Sequence, residues 1–328
     1  MPTVLIGPES LRGKHGPYRE ILASAGFNKF IEPPGGPQLT DDQLRAGLPR
    51  ADAMIAGGEP LTAEMLDLAP NLRVIARTGV GYDTVDIAAA TARRIPVTIT
   101  PGTNHGSVAE QAFGLLLSLT RDIVKNDRMI KAGGWDRNLV RPIRGQTLGI
   151  VGLGRIGRAV AARAAAFEMR IVAFDPVENP EFDARLGITR LGLEGCFVAS
   201  DVVSLHLPLT PATQGIINRR TLALMRPGAI LINTSRGGLI NEADLYESIR
   251  SGHLAGAGLD VLCNEPPEPD NPLLTLDNVI ISPHLGGIDT KGMADMAELA
   301  ARCVADLWLG RWPEGCVVNN ELKAGWTW

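Results

Sequence analysis

Short apolar runs alternate with amphipathic segments along the first hundred residues. The runs are rich in β-branched residues, whereas in the segments between them apolar residues return every three or four positions. The strand-like runs are TVLIG, ADAMIAGG, NLRVIARTG and PVTITPG, and the helical segments are YREILASAG, TAEMLDLAP and DIAAATARR. This alternation is typical of βαβ units and predicts a parallel sheet.

A second alternating series occupies the middle of the chain. Its strands are nearly continuous hydrophobic runs, a pattern that indicates burial on both faces of a parallel sheet. The runs are TLGIVGLG, RIVAFD, DVVSLHLPL, AILINTS, LAGAGLDVL and NVIISPH. We therefore predict a second α/β domain.

Two longer helical patterns flank this second series. SVAEQAFGLLLSLTRDIVKNDRMIKAGG predicts one long connector helix in front of it. Behind it, TKGMADMAELAARCVADLWLG predicts an amphipathic helix. Because the strands have ended by then, we expect this last helix to return and pack on the first domain. The predicted domains are residues 1–100 with 288–328, and residues 101–287.

Composition narrows the function classes. The chain has 328 residues, 45% of them apolar, enough for two domains with cores of their own. A net charge of −4 without a basic run argues against nucleic-acid binding. The four scattered cysteines form neither a zinc motif nor a disulfide framework. No segment approaches the roughly 18 apolar residues of a membrane span, and the N-terminal run is too short for a signal sequence. We expect a cytoplasmic protein that binds small ligands.

A glycine motif opens the second series. Gly152, Gly154 and Gly157 have the G-x-G-x-x-G spacing, directly after a strand and at the start of a helix. The first glycine allows a tight turn, the second lets the backbone approach a pyrophosphate, and the third lets helix and strand pack closely. The helix N-terminus supplies free N–H groups and the positive end of a dipole. We expect the phosphates at Arg155 and Ile156.

Asp175 follows the next strand, where dinucleotide-binding folds place an acid that accepts hydrogen bonds from the adenosine ribose. A carboxylate at this position repels a 2′-phosphate, so it favours NAD over NADP. The alternative is a glycine-rich turn of an ordinary α/β protein with an accidental surface aspartate. Strand, helix and acid together favour dinucleotide binding.

Three chemically useful side chains follow three strands of the second series. Arg236 comes after AILINTS, Glu265 after GLDVL and His284 after NVIIS. Ligands of open α/β sheets bind at the carboxyl ends of the strands. Reduction of a 2-oxo acid by hydride transfer needs a cation for the carboxylate and a proton donor for the carbonyl oxygen. Arginine can grip the carboxylate, histidine can exchange the proton, and glutamate can orient the imidazole and favour its charged form.

Each of the three has a simpler explanation. Arg236 could cap a turn in SRGG, Glu265 could be a solvated acid in a proline-rich loop, and His284 could be structural. Their joint appearance behind a cofactor motif favours catalysis. His206 also ends a strand, but its apolar neighbours favour lining of the cofactor pocket. The histidines lack metal-site spacing, and we expect no metal.

The sequence resembles the D-2-hydroxyacid dehydrogenase family over nearly its whole length, in the branch similar to D-3-phosphoglycerate dehydrogenase. The matching motifs are RTGVGYDTVD, PGTNHGSVAEQAFGLLL, GWDR, TLGIVGLGRIGRAV, HLPLTPAT, LINTSRGGLINEADL, GLDVLCNEPP and ISPHLGG. The resemblance implies two doubly wound parallel-sheet α/β domains, a Rossmann NAD-binding domain and a discontinuous flavodoxin-like substrate domain, with a cleft between them. It implies NAD as cofactor, a small 2-hydroxy or 2-oxo acid as substrate, and a homodimer.

The resemblance also implies individual site residues. The family's catalytic arginine, glutamate and histidine fall on Arg236, Glu265 and His284. The candidate substrate contacts are Arg77, the backbone around Val80 and Gly81, and Arg236. The candidate cofactor contacts are Gly152, Gly154, Arg155, Ile156, Gly157, Asp175, His206, Pro208, Thr234, Ser235, Asp260 and Gly286.

One departure leaves the substrate open. Phosphoglycerate dehydrogenases tend to carry an arginine in an early strand, where this chain has Ala56. Arg77, Arg141 and Arg144 are the remaining basic candidates for holding a phosphate. The alternatives are a glyoxylate or hydroxypyruvate reductase and, from another class, a dinucleotide sensor like the corepressors built on this scaffold. Formate dehydrogenase is a further alternative, although that branch carries glutamine in place of Glu265.

Overall fold

The computed structural model describes residues 1–328, which divide into two compact units. The first unit comprises Met1–Asn104 and Ile288–Trp328, and the second comprises His105–Gly287. The division falls at Asn104 rather than at the predicted residue 100, because the turn before the first helix of the second unit belongs to the first unit. In that turn the Thr103 hydroxyl donates to the Thr100 carbonyl, 2.7 Å away.

The first unit is a five-stranded parallel sheet with helices on both faces. The sheet order is β2-β1-β3-β4-β5, the order of the flavodoxin-like fold. The strands are β1 Thr3–Ile6, β2 Lys29–Ile31, β3 Ala53–Ala56, β4 Val74–Arg77 and β5 Val97–Thr98. The helices are α1 Pro17–Ser24, α2 Asp41–Gly47, α3 Ala63–Asp67, α4 Ile87–Ala92 and, from the end of the chain, α12 Thr290–Trp308.

Alternation along the strands gives this sheet two apolar faces. Leu5 and Met54 belong to one buried cluster, whereas Val4 and Ile55 belong to the other, because successive side chains of a strand point to opposite faces. The second cluster includes the apolar stripe of α12, with Ala300, Ala301 and Val304 among its members. The C-terminal amphipathic helix thus completes the core of the first unit.

The second unit is a seven-stranded parallel sheet, also covered on both faces. Its strands are β6 Thr147–Val151, β7 Arg170–Phe174, β8 Thr189–Arg190, β9 Val202–Leu205, β10 Ala229–Asn233, β11 Leu254–Leu259 and β12 Val279–Ile281. Its helices are α5 His105–Thr120, α6 Ile123–Lys131, α7 Arg155–Ala166, α8 Pro180–Leu186, α9 Leu193–Ala199, α10 Arg219–Leu224 and α11 Glu242–Arg250. The order β12-β11-β10-β9-β6-β7-β8 reverses between β6 and β9, as in the Rossmann fold. The prediction of two doubly wound parallel sheets is confirmed.

The prediction of one long connector helix is wrong. The segment forms two helices, α5 and α6, separated at Asp122, whose φ of 51° is left-handed and ends the regular helix. The physical reason is burial: α5 packs seven residues into the core, whereas α6 buries none. No apolar stripe therefore holds the two in line.

None of the twelve helices is long and apolar enough to cross a membrane.

Candidate active site

The glycine turn joins β6 to α7 with the geometry that the motif predicts. Gly152 has φ 99°, a conformation that favours glycine, and a Cβ there would overlap the His206 carbonyl. A Cβ on Gly157 would overlap the Gly152 carbonyl, so this glycine allows the close packing of turn and helix. Gly154 is exposed, with no atom near the position of a Cβ. The turn therefore leaves open space at the N-terminus of a twelve-residue helix.

Asp175 follows β7 and is anchored to this turn. Its two carboxylate oxygens accept from the amides of Leu153 at 2.6 Å and Val177 at 2.7 Å. The acid is thus fixed beside the motif at the edge where nucleotides bind in such sheets. The open turn, the helix N-terminus and the fixed carboxylate fit the pyrophosphate and ribose of a dinucleotide.

His206 lies at the point where the strand order reverses, directly after β9. Its Nε2 is 2.8 Å from the Ser204 hydroxyl, and its Nδ1 is buried without a hydrogen-bond partner. Burial lowers the pKa of His206 to about 3. The low pKa favours the neutral ring at physiological pH, which fits a residue that lines the binding site rather than a proton donor.

The two residues directly after β10 differ in whether their hydroxyl groups are already hydrogen-bonded within the protein. The Thr234 hydroxyl is buried and has no hydrogen-bond partner, whereas the Ser235 hydroxyl donates to the Leu205 carbonyl at 2.7 Å. Ser235 thus ties β10 to β9, and Thr234 keeps an unpaired polar atom at the carboxyl edge. Pro208 lies two residues beyond His206 and is exposed.

The structure brings the three predicted catalytic side chains to the carboxyl edge of the second unit's sheet. They follow the adjacent strands β10, β11 and β12. His284 Nδ1 is 2.7 Å from Glu265 Oε2, and Glu265 Oε1 accepts from the Leu262 amide at 3.0 Å. The Arg236 guanidinium donates to the Ser235 carbonyl at 2.6 Å, and the Asn233 side chain holds the Arg236 carbonyl at 2.8 Å.

Arg236 and His284 both lower the pKa of Glu265. Burial by itself would raise the pKa of Glu265, but the hydrogen bond and charge of His284, the Leu262 amide and the charge of Arg236 outweigh it. The pKa of Glu265 is therefore lowered, and the carboxylate is ionised at neutral pH. Glu265 thus lies between the side chains of His284 and Arg236 as an anionic neighbour of both.

Asp260 shapes the loop that carries His284. This buried carboxylate accepts from the Ser282 hydroxyl at 2.6 Å and from the amides of Leu285 at 2.9 Å and Gly286 at 2.7 Å. Its backbone carbonyl accepts from the His284 amide at 2.8 Å. His284 itself has a left-handed φ of 55°. Asp260 was expected as a cofactor contact, and within the protein it fixes both sides of the histidine.

Gln111, which neighbours Asp260, was missed by the sequence reasoning. The Gln111 amide group, on α5, donates to the Ser282 hydroxyl at 2.8 Å. Gln111 thereby links the N-terminal helix of the unit to the histidine loop. Gln111 follows Glu110 in the EQAFGLLL segment, where no motif marks it as a functional residue.

The predicted substrate residues of the first unit are Arg77, the last residue of β4, and the loop residues Val80 and Gly81. The Arg77 Nε donates to the Gly81 carbonyl at 3.0 Å. Gly79 and Thr100 exchange hydrogen bonds, with the Gly79 amide 2.9 Å from the Thr100 hydroxyl and the Thr100 amide 2.9 Å from the Gly79 carbonyl. These bonds fix the backbone around Val80. Glu59, a fully buried acid near Arg77, was missed because a lone glutamate in GGEPLT carries no recognised motif.

Two basic candidates for phosphate binding are wrong. Arg141 donates to the Gly228 carbonyl and lies 3.8 Å from Asp201, residues that precede β10 and β9. Arg144 is exposed just before β6. Both therefore lie at the amino edge of the sheet, opposite the edge that carries the predicted catalytic side chains. No group of three potential metal ligands occurs in the structure.

The chain is similar in sequence to known proteins. The model of the D-isomer specific 2-hydroxyacid dehydrogenase NAD binding domain matches residues 113–286. A D-3-phosphoglycerate dehydrogenase from Mycobacterium leprae is 41% identical over 334 residues, 98% of this chain and 61% of that protein. A glyoxylate reductase from Korarchaeum cryptofilum is 42% identical over 270 residues, 80% of this chain and 81% of that protein.

Among solved structures, the crystal structure of the TT0316 protein from Thermus thermophilus has a TM-score of 0.87 at 38% identity. The match covers 96% of this chain and 100% of that chain. The chain spans less than two thirds of the length of the Mycobacterium leprae relative.

Proposed function

Since the chain belongs to the D-isomer specific 2-hydroxyacid dehydrogenase family, we propose that it interconverts a D-2-hydroxy acid and the corresponding 2-oxo acid with NAD. The observation that carries the proposal is the 2.7 Å hydrogen bond between His284 and Glu265. The charge of Arg236 also lowers the pKa of this carboxyl group. Bound NADH supplies the hydride. The chain's own residues bind the acid, orient it and move the proton.

His284 is the proton donor in reduction and the acceptor in oxidation. Because Nδ1 is held by Glu265, Nε2 is the nitrogen that exchanges the proton with the substrate oxygen. Glu265 fixes the ring and favours the imidazolium. Arg236 binds the substrate carboxylate and polarises the adjacent carbonyl. In the first unit, the amides of Val80 and Gly81 remain candidate substrate contacts.

NAD is preferred to NADP in this proposal. The support is Asp175, whose carboxylate is fixed by two amides beside the glycine turn. A negative charge there attracts ribose hydroxyls as hydrogen-bond donors and repels a 2′-phosphate. The proposal also includes the other predicted cofactor contacts, a set of separate residues of which Arg155 is the first and Gly286 the last.

A panel of small 2-oxo acids tests the function. NADH oxidation is followed at the nicotinamide absorbance with glyoxylate, hydroxypyruvate and related acids, and with NADPH in parallel. We expect turnover of at least one acid and a preference for NADH. Binding of NADH without turnover of any acid would instead favour the sensor alternative.

We also propose that the protein is cytoplasmic, that it forms a homodimer and that nucleic acid is not among its partners. The four cysteines are free, in keeping with a reducing compartment.

Support for a dimer comes from α6, which buries no residue, and from the segment after it, where Trp135 is 82% exposed and Leu139 fully exposed. Light scattering should give twice the chain mass, and Leu139→Asp should shift the protein toward monomer. A monomeric wild type would contradict this part.

A further inference from the structure

One carboxylate of the second unit holds both ends of the loop that carries Glu265. Glu242 is the first residue of α11. Its Oε1 accepts from the Cys263 amide at 2.6 Å, and its Oε2 accepts from the Asn271 side-chain amide group at 2.8 Å. Cys263 lies two residues before Glu265, and Asn271 lies six residues after it. The two hydrogen bonds therefore close the base of this proline-rich loop on the start of α11.

The first of these hydrogen bonds lies next to the donor that orients the Glu265 carboxyl group. The amide of Leu262, the residue before Cys263, donates to Glu265 Oε1 at 3.0 Å. The other oxygen, Oε2, lies 2.7 Å from His284 Nδ1. Because Leu262 and Cys263 share a rigid peptide plane, a bond that fixes the Cys263 amide also fixes the backbone beside the Leu262 donor. Glu242 thus acts on the position of the carboxylate through the main chain.

The same stretch of backbone is packed against the loop that carries Arg236. A Cβ on Gly237, the residue after Arg236, would overlap the Leu262 carbonyl and the Cys263 nitrogen. Only a residue without a side chain allows this close approach. The chain continues from Gly237 to Glu242 at the start of α11. The loops after β10 and β11 are therefore joined twice, by this packing and by the Glu242 carboxylate.

The charged and titratable neighbours of the two carboxylates are different. Burial and the nearby Glu242 carboxylate raise the pKa of the Cys263 thiol to about 11, so this thiol is protonated at neutral pH. Glu265 faces His284, through the hydrogen bond, and Arg236, through its charge. A positional effect of Glu242 on the imidazole must therefore pass through Glu265, which makes it separable from a direct effect of charge.

We propose that Glu242 is a positioning residue of the active site, which holds the Glu265 carboxylate against His284 by closing the base of its loop. The inference rests on the proposed function and adds a residue to it. Glu242→Gln keeps one acceptor oxygen but turns an N–H group toward one of the two donors, so one end of the loop is released. Glu265 then faces the imidazole for a smaller fraction of the time, and the imidazolium loses part of its stabilisation.

The test is the alkaline limb of the kcat/KM profile for reduction of a 2-oxo acid, followed by NADH oxidation. We expect Glu242→Gln to move the limb to lower pH by about half a unit, less than loss of the Glu265 charge itself, with the KM for NADH unchanged. In a Glu265→Gln background it should move the limb no further, because both substitutions act through one carboxylate. Glu247→Gln, an exposed glutamate of α11 paired with Arg250, is the matched control and should leave the limb in place.

Asn271→Asp is a second variant, for use if Glu242→Gln does not fold. It keeps the oxygen that accepts from the Leu273 amide and replaces the donor to Glu242 by a like charge, so it should move the limb in the same direction. A limb that stays in place in a folded variant, even at a lower Tm, overturns the inference, because a merely structural role lowers stability alone. An equal shift with and without the Glu265 carboxylate overturns it as well, since Glu242 would then act on the imidazole directly by its charge.

NMR titration of the His284 ring makes the same comparison without substrate. The midpoint of the titration should move to lower pH in Glu242→Gln and stay in place in Glu247→Gln. An enzyme that binds NADH and reduces no acid of the panel would refute the proposed function, whereas an unmoved midpoint in an active Glu242→Gln enzyme would refute only the positioning role.

Discussion

Replacing Glu265 by glutamine tests the link between the carboxylate and the catalytic imidazole. The amide keeps an oxygen that can accept from His284 Nδ1 and nearly the same shape, but it carries no charge. In reduction the imidazole must be protonated, so a neutral neighbour makes the active form less stable. The alkaline limb of the kcat/KM profile for reduction should therefore move to lower pH in Glu265→Gln.

The size of the shift follows from the geometry. Two unit charges about 4 Å apart interact by about 4 kcal/mol at an effective dielectric constant of 20. The side chains of His284 and Glu265 are 47% and 39% exposed, so water screens much of this energy. We take about 1 to 1.5 kcal/mol after screening, which corresponds to about one pH unit.

The assay is NADH oxidation at saturating cofactor across the pH range in which the protein stays folded. Glu268→Gln is the matched control, because Glu268 is an exposed glutamate of the same proline-rich loop. We expect the control to keep the wild-type profile. An alkaline limb that does not move in Glu265→Gln, at a normal NADH affinity, would refute the electrostatic role of the carboxylate.

Three further substitutions test the other groups. His284→Ala should lower the rate of reduction by a factor on the order of 100 to 10,000 while NADH still quenches protein fluorescence; a wild-type rate would reject the proton donor. Asp175→Ser should reduce the preference for NADH over NADPH by about tenfold, because a like charge facing the 2′-phosphate is removed, and an unchanged ratio of kcat/KM values would place the ribose contact elsewhere. Asp260→Asn turns an N–H group toward one of three donors, so hydrogen exchange at Leu285 and Gly286 should accelerate; unchanged protection would contradict the loop-fixing role.

The sheets could be predicted from the sequence because their central strands are buried on both faces. β6, β9 and β10 consist entirely of buried residues, and continuous apolar runs follow from that. The strands that the sequence did not reveal are β2 and β8, at the edges of the two sheets. Edge strands are short and partly exposed, so the Lys29–Ile31 and Thr189–Arg190 segments show no continuous apolar run.

The part of the site that follows from parallel sheet topology could be predicted from the sequence. Parallel strands place their carboxyl ends at one edge, so Arg236, Glu265 and His284 could be grouped without a structure. Contacts between segments that are distant in sequence could not be predicted in this way. The burial of Glu59 depends on loops after β1 and β3, and the hydrogen bond of Gln111 to Ser282 joins residues 171 positions apart. Neither leaves a local pattern in the chain.

The backbone at His284 shows how the protein holds the proposed proton donor. A left-handed φ costs a non-glycine residue about 1 to 2 kcal/mol, and such conformations persist only where surrounding bonds determine them. Here the carbonyl and carboxylate of Asp260 accept from the amides of His284, Leu285 and Gly286 in turn, and this acid directly follows the neighbouring strand β11. The strain in the loop is thus offset by hydrogen bonds from the adjacent strand end, which also supplies Glu265 five residues later. One connection between β11 and the loop after β12 therefore fixes the histidine, its backbone and its carboxylate partner together, so a substitution at Asp260 should disturb the proton donor without touching its ring.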